Sequence, residues 1–170
     1  ESVRKGRGLS DDHHAAMVES NIPEWFIASC EKIKYLFPKA HAVAYVMMAY
    51  RIAWFKINQP LAFYAAYFTV RGADEFDLAT VLAGKTAVQK KIQNIYNCGR
   101  DASAKDKAAI SVLEVALELL VRGFHVLPVN IDRSDALKFT IVDDALLPPL
   151  VAIPGLGQII ATTIAEARSE

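Results

Sequence analysis

The stretch YLFPKAHAVAYVMMAYRIAWFK, residues 35–56, limits what this chain can fold into more than any other. From Ala42 to Phe55 only Arg51 is charged. At helical spacing, Val43, Val46, Met47, Tyr50 and Trp54 share one face, and Tyr45, Met48, Ile52 and Phe55 share the opposite one. A helix from about Pro38 to Ile57 that is apolar on both faces is expected to be buried nearly all round. It is too short to cross a bilayer, and a central arginine would be costly there, so no membrane contact is expected. Arg51 in such a helix is expected to pair with a buried carboxylate, because a lone buried charge costs too much.

The start of this helix carries the wrong sign of charge. Lys39 and His41 fall in the first turn, where free backbone N–H groups already form a positive pole. A cation there is disfavoured by the helix dipole. The arrangement makes sense if an anion binds: amides, an ammonium and an imidazole together can hold phosphate oxygens. A plain alternative stands at equal weight, in which Lys39 reaches solvent and His41 caps a neighbouring carbonyl. Five Lys/Arg residues and no acid lie between Lys32 and Lys56. The net charge of zero, from 19 basic and 19 acidic residues, therefore hides a positive region. A second basic group, RKGRG, sets Arg4, Lys5 and Arg7 beside Gly6 and Gly8. Glycines let a backbone approach phosphate and arginine forks match its oxygens, although such a run is more often a solvated face.

The remaining sequence reads as mainly helical. A hydrophobic fraction of 53% in 170 residues supplies a core for one domain, or one and part of another. Cys30 and Cys98 lie far apart and read as unpaired, reduced thiols of a cytosolic protein. No apolar run follows the basic first residues, so no signal peptide is expected. The chain starts without methionine and stops with helical periodicity still running, which suggests a piece of a longer protein. Ser10 is the expected N-cap of a helix ending near Asn21, and Pro23 suits the first turn of the next, with Trp25, Phe26 and Ile33 inward. Pro60 restarts a helix that GADEFD breaks, and LATVLAGKTAVQKKIQNIYN reads as one amphipathic helix ending at Cys98–Gly99. Ser103, with Asp106 three residues on, predicts the capped start of a helix that Gly123 closes. From about 124 to 150 the texture turns β-branched. FHVLPVNI and KFTIV, beside the turn formers DRSD and DD, predict two or three short strands and a boundary near 124.

Near the C-terminus, LVAIPGLGQIIATTIAEAR fits a helix-hairpin-helix pattern, with Gly155 and Gly157 making the hairpin and Ala161, Ile164 and Arg168 at helical spacing. Gly157 and the helix after it can present amides to a DNA backbone phosphate, which positions a protein on a duplex without reading sequence. The same spacing also occurs as an ordinary tight turn. His13 and His14 are adjacent and point about 100° apart, so they cannot share a metal in the i, i+4 manner. Asp74–Glu75 and Asp143–Asp144 read as turn and helix-start residues. No Walker loop, Ser/His/Asp set or zinc spacing is present, so neither catalytic nor metal-ligating residues are assigned.

KIKYLFPKAHAVAYVMMAYRIAWFK, followed by PLAFYAAYFTVR and FD, resembles the fingers region of the PolC-type DNA polymerase III alpha subunits of low-GC Gram-positive bacteria, in the C family. ESVRKGRGL resembles the lead into those fingers, and LLPPLVAIPGLG the start of the duplex-binding part, which contains helix-hairpin-helix units. Gly72 is a departure, at a loop where the family is expected to be one residue shorter. The resemblance covers essentially the whole chain. It implies helical fingers over 1–123, with a β element and the start of a helix-hairpin-helix, duplex-binding region over 124–170. It also implies a polymerase that adds dNTPs to primer-template DNA, with Mg2+ held by palm aspartates outside these residues. Arg4 and Lys5 would then lie on the triphosphate, with Lys39, His41 and Tyr45 beside them, and Gly155, Leu156 and Gly157 at the duplex backbone. The segment would be inactive alone. The parent would work in the cytoplasm, at the nucleoid, with a sliding clamp and other replisome proteins. The rival readings are a non-catalytic helix-hairpin-helix DNA-binding or repair adaptor, and a helical interaction module with an incidental basic helix end.

Overall fold

In the computed structural model, residues 2–36, 38–72 and 75–168 are described. Helices dominate: eight α-helices and one two-stranded sheet are present among these residues, which is the mainly α architecture the sequence implies. The chain divides into two compact units, Glu1–Arg51 and Ile52–Glu170.

The first unit begins with a 3-10 turn, Val3–Lys5, closed by Gly6 in a left-handed conformation. Helix α1, Asp11–Glu19, starts where expected: the Ser10 hydroxyl accepts from the His13 amide, and Asp11 and Asp12 occupy the first turn. Just past its end Asn21 takes a left-handed φ of 54°, a common way to stop a helix. Helix α2 is Glu24–Lys32, one residue later than Pro23 suggests, with Pro23 as its N-cap. Its inner face is also different. Ile27 and Cys30, one turn apart, are buried, whereas Trp25 and Phe26 are exposed and Ile33 is half-buried.

Helix α3, Lys39–Asn58, forms with nearly the expected bounds. The expected burial does not follow. None of its residues is buried, and Tyr50 and Trp54 are 75% and 50% exposed. Periodicity records that both faces are apolar; it cannot say whether the surface that covers them belongs to the same stretch of chain. Arg51 is likewise exposed rather than paired inside a core. Among the described residues, the cation of α3 that meets a carboxylate is Lys56.

The second unit holds the core. Helix α4, Pro60–Arg71, has proline at its first position, as read from the sequence. Asp74 lies outside the described residues. The amphipathic stretch after the break is two helices, α5 (Leu78–Leu82) and α6 (Lys85–Cys98). Gly84, at φ 94°, separates them in a conformation that a side chain would resist. Helix α7, Ala104–Val121, starts at Ser103, whose hydroxyl accepts from the Asp106 amide at 3.0 Å. Arg122 and then left-handed Gly123 end it. Tyr64 and Phe68 from α4, Val88 and Ile92 from α6, and Leu113 and Leu119 from α7 form the centre of the core. Phe68, Phe76 and Phe139 pack as a triangle of rings, with centroids 4.8, 4.9 and 5.6 Å apart.

The β element is small, as expected, with two strands. Strands β1 (Thr140–Val142) and β2 (Ala145–Leu147) pair antiparallel, Ile141 opposite Leu146. Asp143 and Asp144, both at positive φ, make the two-residue turn. FHVLPVNI contributes only an isolated parallel bridge, Val126 to Leu146, because Pro128 removes a donor that a longer ladder would need. The strand that pairs is ALL, buried at every position and so without the alternation that marks a strand in sequence.

A basic helix start and a glycine hairpin

The first unit carries Arg4, Lys5, Lys39, His41 and Tyr45. A glycine brings two distant parts of it together. A Cβ on Gly6 would lie 1.9 Å from the Lys34 carbonyl oxygen, so only glycine lets the RKGRG backbone lie against this segment. The Leu36 amide then donates to the Arg4 carbonyl at 3.1 Å. The backbone of Arg4 is thereby fixed to residues that lead straight into α3. Helix α3 opens with Lys39 exposed and no acid in its first turn, and the Ala42 amide reaches back to the Pro38 carbonyl at 3.1 Å. His41 and Tyr45, one turn apart, lie against one another with ring centroids 4.5 Å apart and planes tilted at 60°. Amides of a first helical turn with no internal acceptor, a lysine and an imidazole in the same turn, and a second cationic segment tied to the residues just ahead can hold an anion bearing several phosphate oxygens.

The second unit carries Gly155, Leu156 and Gly157. The hairpin is present, but the helix before it is one 3-10 turn, Leu150–Ala152. The two prolines at 148 and 149 fix the chain in an extended entry and leave too few residues for a full helix. Gly155 takes a φ of 85°, and the Leu156 amide donates to the Ile153 carbonyl at 3.0 Å. Gly157 is the N-cap of α8, Gln158–Ala167, with ordinary extended backbone, so it starts the helix and Gly155 makes the turn. Ala161 is fully buried, while Ile159 is 85% exposed. Arg168 lies just past α8 and donates to the Ile131 and Ser134 carbonyls. The three hairpin residues border a cleft of about 1010 Å³ that Lys91, Lys105 and Lys138 also line, together with Glu75, Asp77 and Asp106. Among the described residues, no group of three or more His, Cys, Asp or Glu converges, and no helix is long and apolar enough to cross a membrane.

One cluster is not visible as a motif. Lys56 of α3 donates to Glu118 of α7 at 2.7 Å, and the Tyr64 hydroxyl of α4 donates to the other Glu118 oxygen at 3.0 Å. Arg122 donates to the Tyr64 oxygen at 3.0 Å. Burial pushes the Glu118 carboxyl up, but the hydrogen bonds from Lys56 and Tyr64 and the charges of Lys56 and Arg122 outweigh it and hold the pKa below its ordinary 4.5. Burial, with the neighbouring Glu118, raises the Tyr64 hydroxyl above its ordinary value against the opposing bond from Arg122.

No protein-family model matches the chain. Curated relatives do. A protein of Staphylococcus epidermidis is 49% identical over 170 residues, covering 100% of this chain. One of Listeria innocua is 52% identical over 168 residues, or 99% of the chain, and one of Staphylococcus aureus is 45% identical over 170, or 100%. Each relative is named DNA polymerase III PolC-type, and the chain spans 12% of the length of each.

Proposed function

We propose, from the chain's whole-length homology to one segment of PolC-type DNA polymerase III, that residues 1–123 are fingers that grip the triphosphate of an incoming dNTP and 124–170 begin the region that rests on the DNA duplex. The observation that carries this reading is the bond from the Leu36 amide to the Arg4 carbonyl, with Gly6 seated against Lys34. It ties the RKGRG segment to the residues that lead into α3. Arg4 and Lys5 would hold the outer phosphates by charge-assisted hydrogen bonds, and Lys39 with the first-turn amides of α3 would neutralise the others. His41 would add an N–H donor, and Tyr45, whose ring lies tilted against it, would limit the imidazole's rotation. Gly155, Leu156 and Gly157 would present backbone to a duplex phosphate and carry no sequence preference.

Magnesium would accompany the triphosphate and be held by carboxylates of the polymerase outside this segment, where it would supply charge neutralisation to phosphoryl transfer. Without those carboxylates the 170 residues alone would not polymerise. The intact protein would act on primer-template DNA in the cytoplasm, at the nucleoid, beside a sliding clamp and other replisome proteins.

The test is an NMR titration of the chain with a dNTP and magnesium, in wild type and in Lys39→Ala/His41→Ala. Saturable shifts at Arg4, Lys39 and His41 that vanish in the double variant are expected. Shifts at Gly155–Ile160 with duplex DNA, but none at the other three positions with dNTP, would remove the nucleotide half of the reading.

A further inference from the structure

Helix α6, in the second unit, carries a surface to which no role has yet been given. From Gly84 to Arg100 the chain has no Asp or Glu, while Lys85, Lys90, Lys91 and Arg100 are cationic. Val88, Ile92 and Ile95 recur at helical spacing and are buried, which turns Gln89, Lys90, Gln93 and Asn94 outward. Gly84, at φ 94°, lets α6 follow α5 directly, and beside them lies an open groove of about 390 Å³. Its floor is small: Ala79, Ala83 and Ala87. Lys90, Lys91 and Asn94 also line it. Asn94 follows the two lysines by four and three residues, so the three side chains are neighbours on the helix surface.

The acids nearby already have partners. Asp77 caps α5, accepting from the Thr80 amide at 3.0 Å and its hydroxyl at 2.6 Å, and Lys91 stands 3.9 Å away. Glu114 accepts from the Tyr96 hydroxyl at 3.0 Å. Among the described residues, Lys90 meets no carboxylate. Two ammonium groups and a side-chain amide over a floor of methyl groups suit a sugar–phosphate backbone, which needs close approach and donors rather than a deep pocket. Lys91 also lines the cleft that Gly155, Leu156 and Gly157 border, so groove and hairpin cleft meet at one side chain.

We infer that Lys90, Lys91 and Asn94 form a second backbone contact for duplex DNA, on a track that reaches the hairpin cleft at Lys91. The inference takes its ligand from the reading of the hairpin as a duplex contact and adds residues to it. Such a contact contributes charge and no base readout, so it shows as a salt dependence that is the same for every sequence.

The experiment is fluorescence anisotropy of the 170-residue chain with two labelled duplexes of unrelated sequence, from about 50 to about 200 mM salt. Lys90→Ala is expected to reduce the slope of log Kd against log salt by about 0.9, and Lys90→Ala/Lys91→Ala by about twice that, equally for both duplexes. Lys90→Arg should keep the wild-type slope. Arg133→Ala removes the same charge at a residue already paired with Asp143, and should leave the slope unchanged. Gly155→Val, at a positive φ that a branched side chain resists, tests the hairpin separately. An unchanged slope in Lys90→Ala, with weaker binding in Gly155→Val, would overturn the inference and leave the hairpin reading standing. A reduced slope in Lys90→Ala, with unchanged binding in Gly155→Val, would remove the hairpin and keep the α6 contact. No saturable binding by wild type would overturn both. Poly-glutamate that shifts the Lys90 and Asn94 amides by NMR while duplex DNA does not would assign the face to an acidic protein segment and also overturn the inference.

Discussion

Gly6 and Gly8 offer a matched pair of substitutions. Both have left-handed backbone, at φ 70° and 71°. An alanine at either position incurs about 1 kcal/mol for that conformation. At Gly8 nothing else is expected, because no atom lies within 4 Å of the added Cβ. At Gly6 the Cβ would sit 1.9 Å from the Lys34 oxygen and 2.8 Å from its carbon, both backbone atoms that no rotamer change can move. The two segments must separate by over about 1 Å to reach ordinary contact. The 3.1 Å bond from Leu36 to Arg4 would not survive, adding about 1 kcal/mol. Gly6→Ala should therefore destabilise this pairing by about 2–3 kcal/mol, and Gly8→Ala by about 1. Amide hydrogen exchange, read by NMR on the 170-residue chain, reports it directly. The Leu36 amide is expected to exchange at least about tenfold faster in Gly6→Ala than in Gly8→Ala. Equal exchange in the two variants would show that the RKGRG backbone does not rest on Lys34, and the site argued from it would lose its footing.

Two further outcomes concern the second unit. Phe68→Ala, which removes a fully buried ring at the centre of the aromatic triangle, should cost about 3–5 kcal/mol in urea unfolding, whereas Trp54→Ala on the exposed face of α3 should stay within about 0.5. Glu118 has a lowered pKa in the fold, so its contribution is present above the ordinary 4.5 and is lost as pH falls through the lower folded value. At 36% side-chain exposure that contribution is about 1 kcal/mol after screening, so the stability gap between wild type and Glu118→Gln should narrow as pH falls below 4.5, followed by circular dichroism across a pH series.

Capping chemistry was legible in the sequence because it is local. Ser10 and Ser103 each accept the amide three residues on, and Gly123 and Asn21 stop helices with left-handed backbone. The break at Gly84 was less legible, since the hydrophobic period runs through it and only the backbone reveals the interruption. Strand β2 was missed for the opposite reason. Buried on both sides, ALL has no alternation to read. Of the site residues, Lys39, His41 and Tyr45 share one helix by spacing alone. That Arg4 is tied to the same region depends on a contact between backbones more than thirty residues apart, which no pattern in a single sequence records.

By itself the sequence determined several helix starts and stops, such as Ser10, Ser103 and Gly123, that charge is segregated to one stretch, and that a helix from about Pro38 to Ile57 is apolar on both faces. Those are properties of neighbours along the chain, set by backbone sterics and periodicity. The tertiary structure alone decided that no residue of this helix is buried, that among the described residues Lys56 rather than Arg51 meets a carboxylate, and that Arg122 donates to the Lys56 carbonyl. Each of these depends on which distant groups arrive at one point in space. A side chain's partner is chosen by the packing of elements, and the energy of burying or pairing it exists only once they have packed.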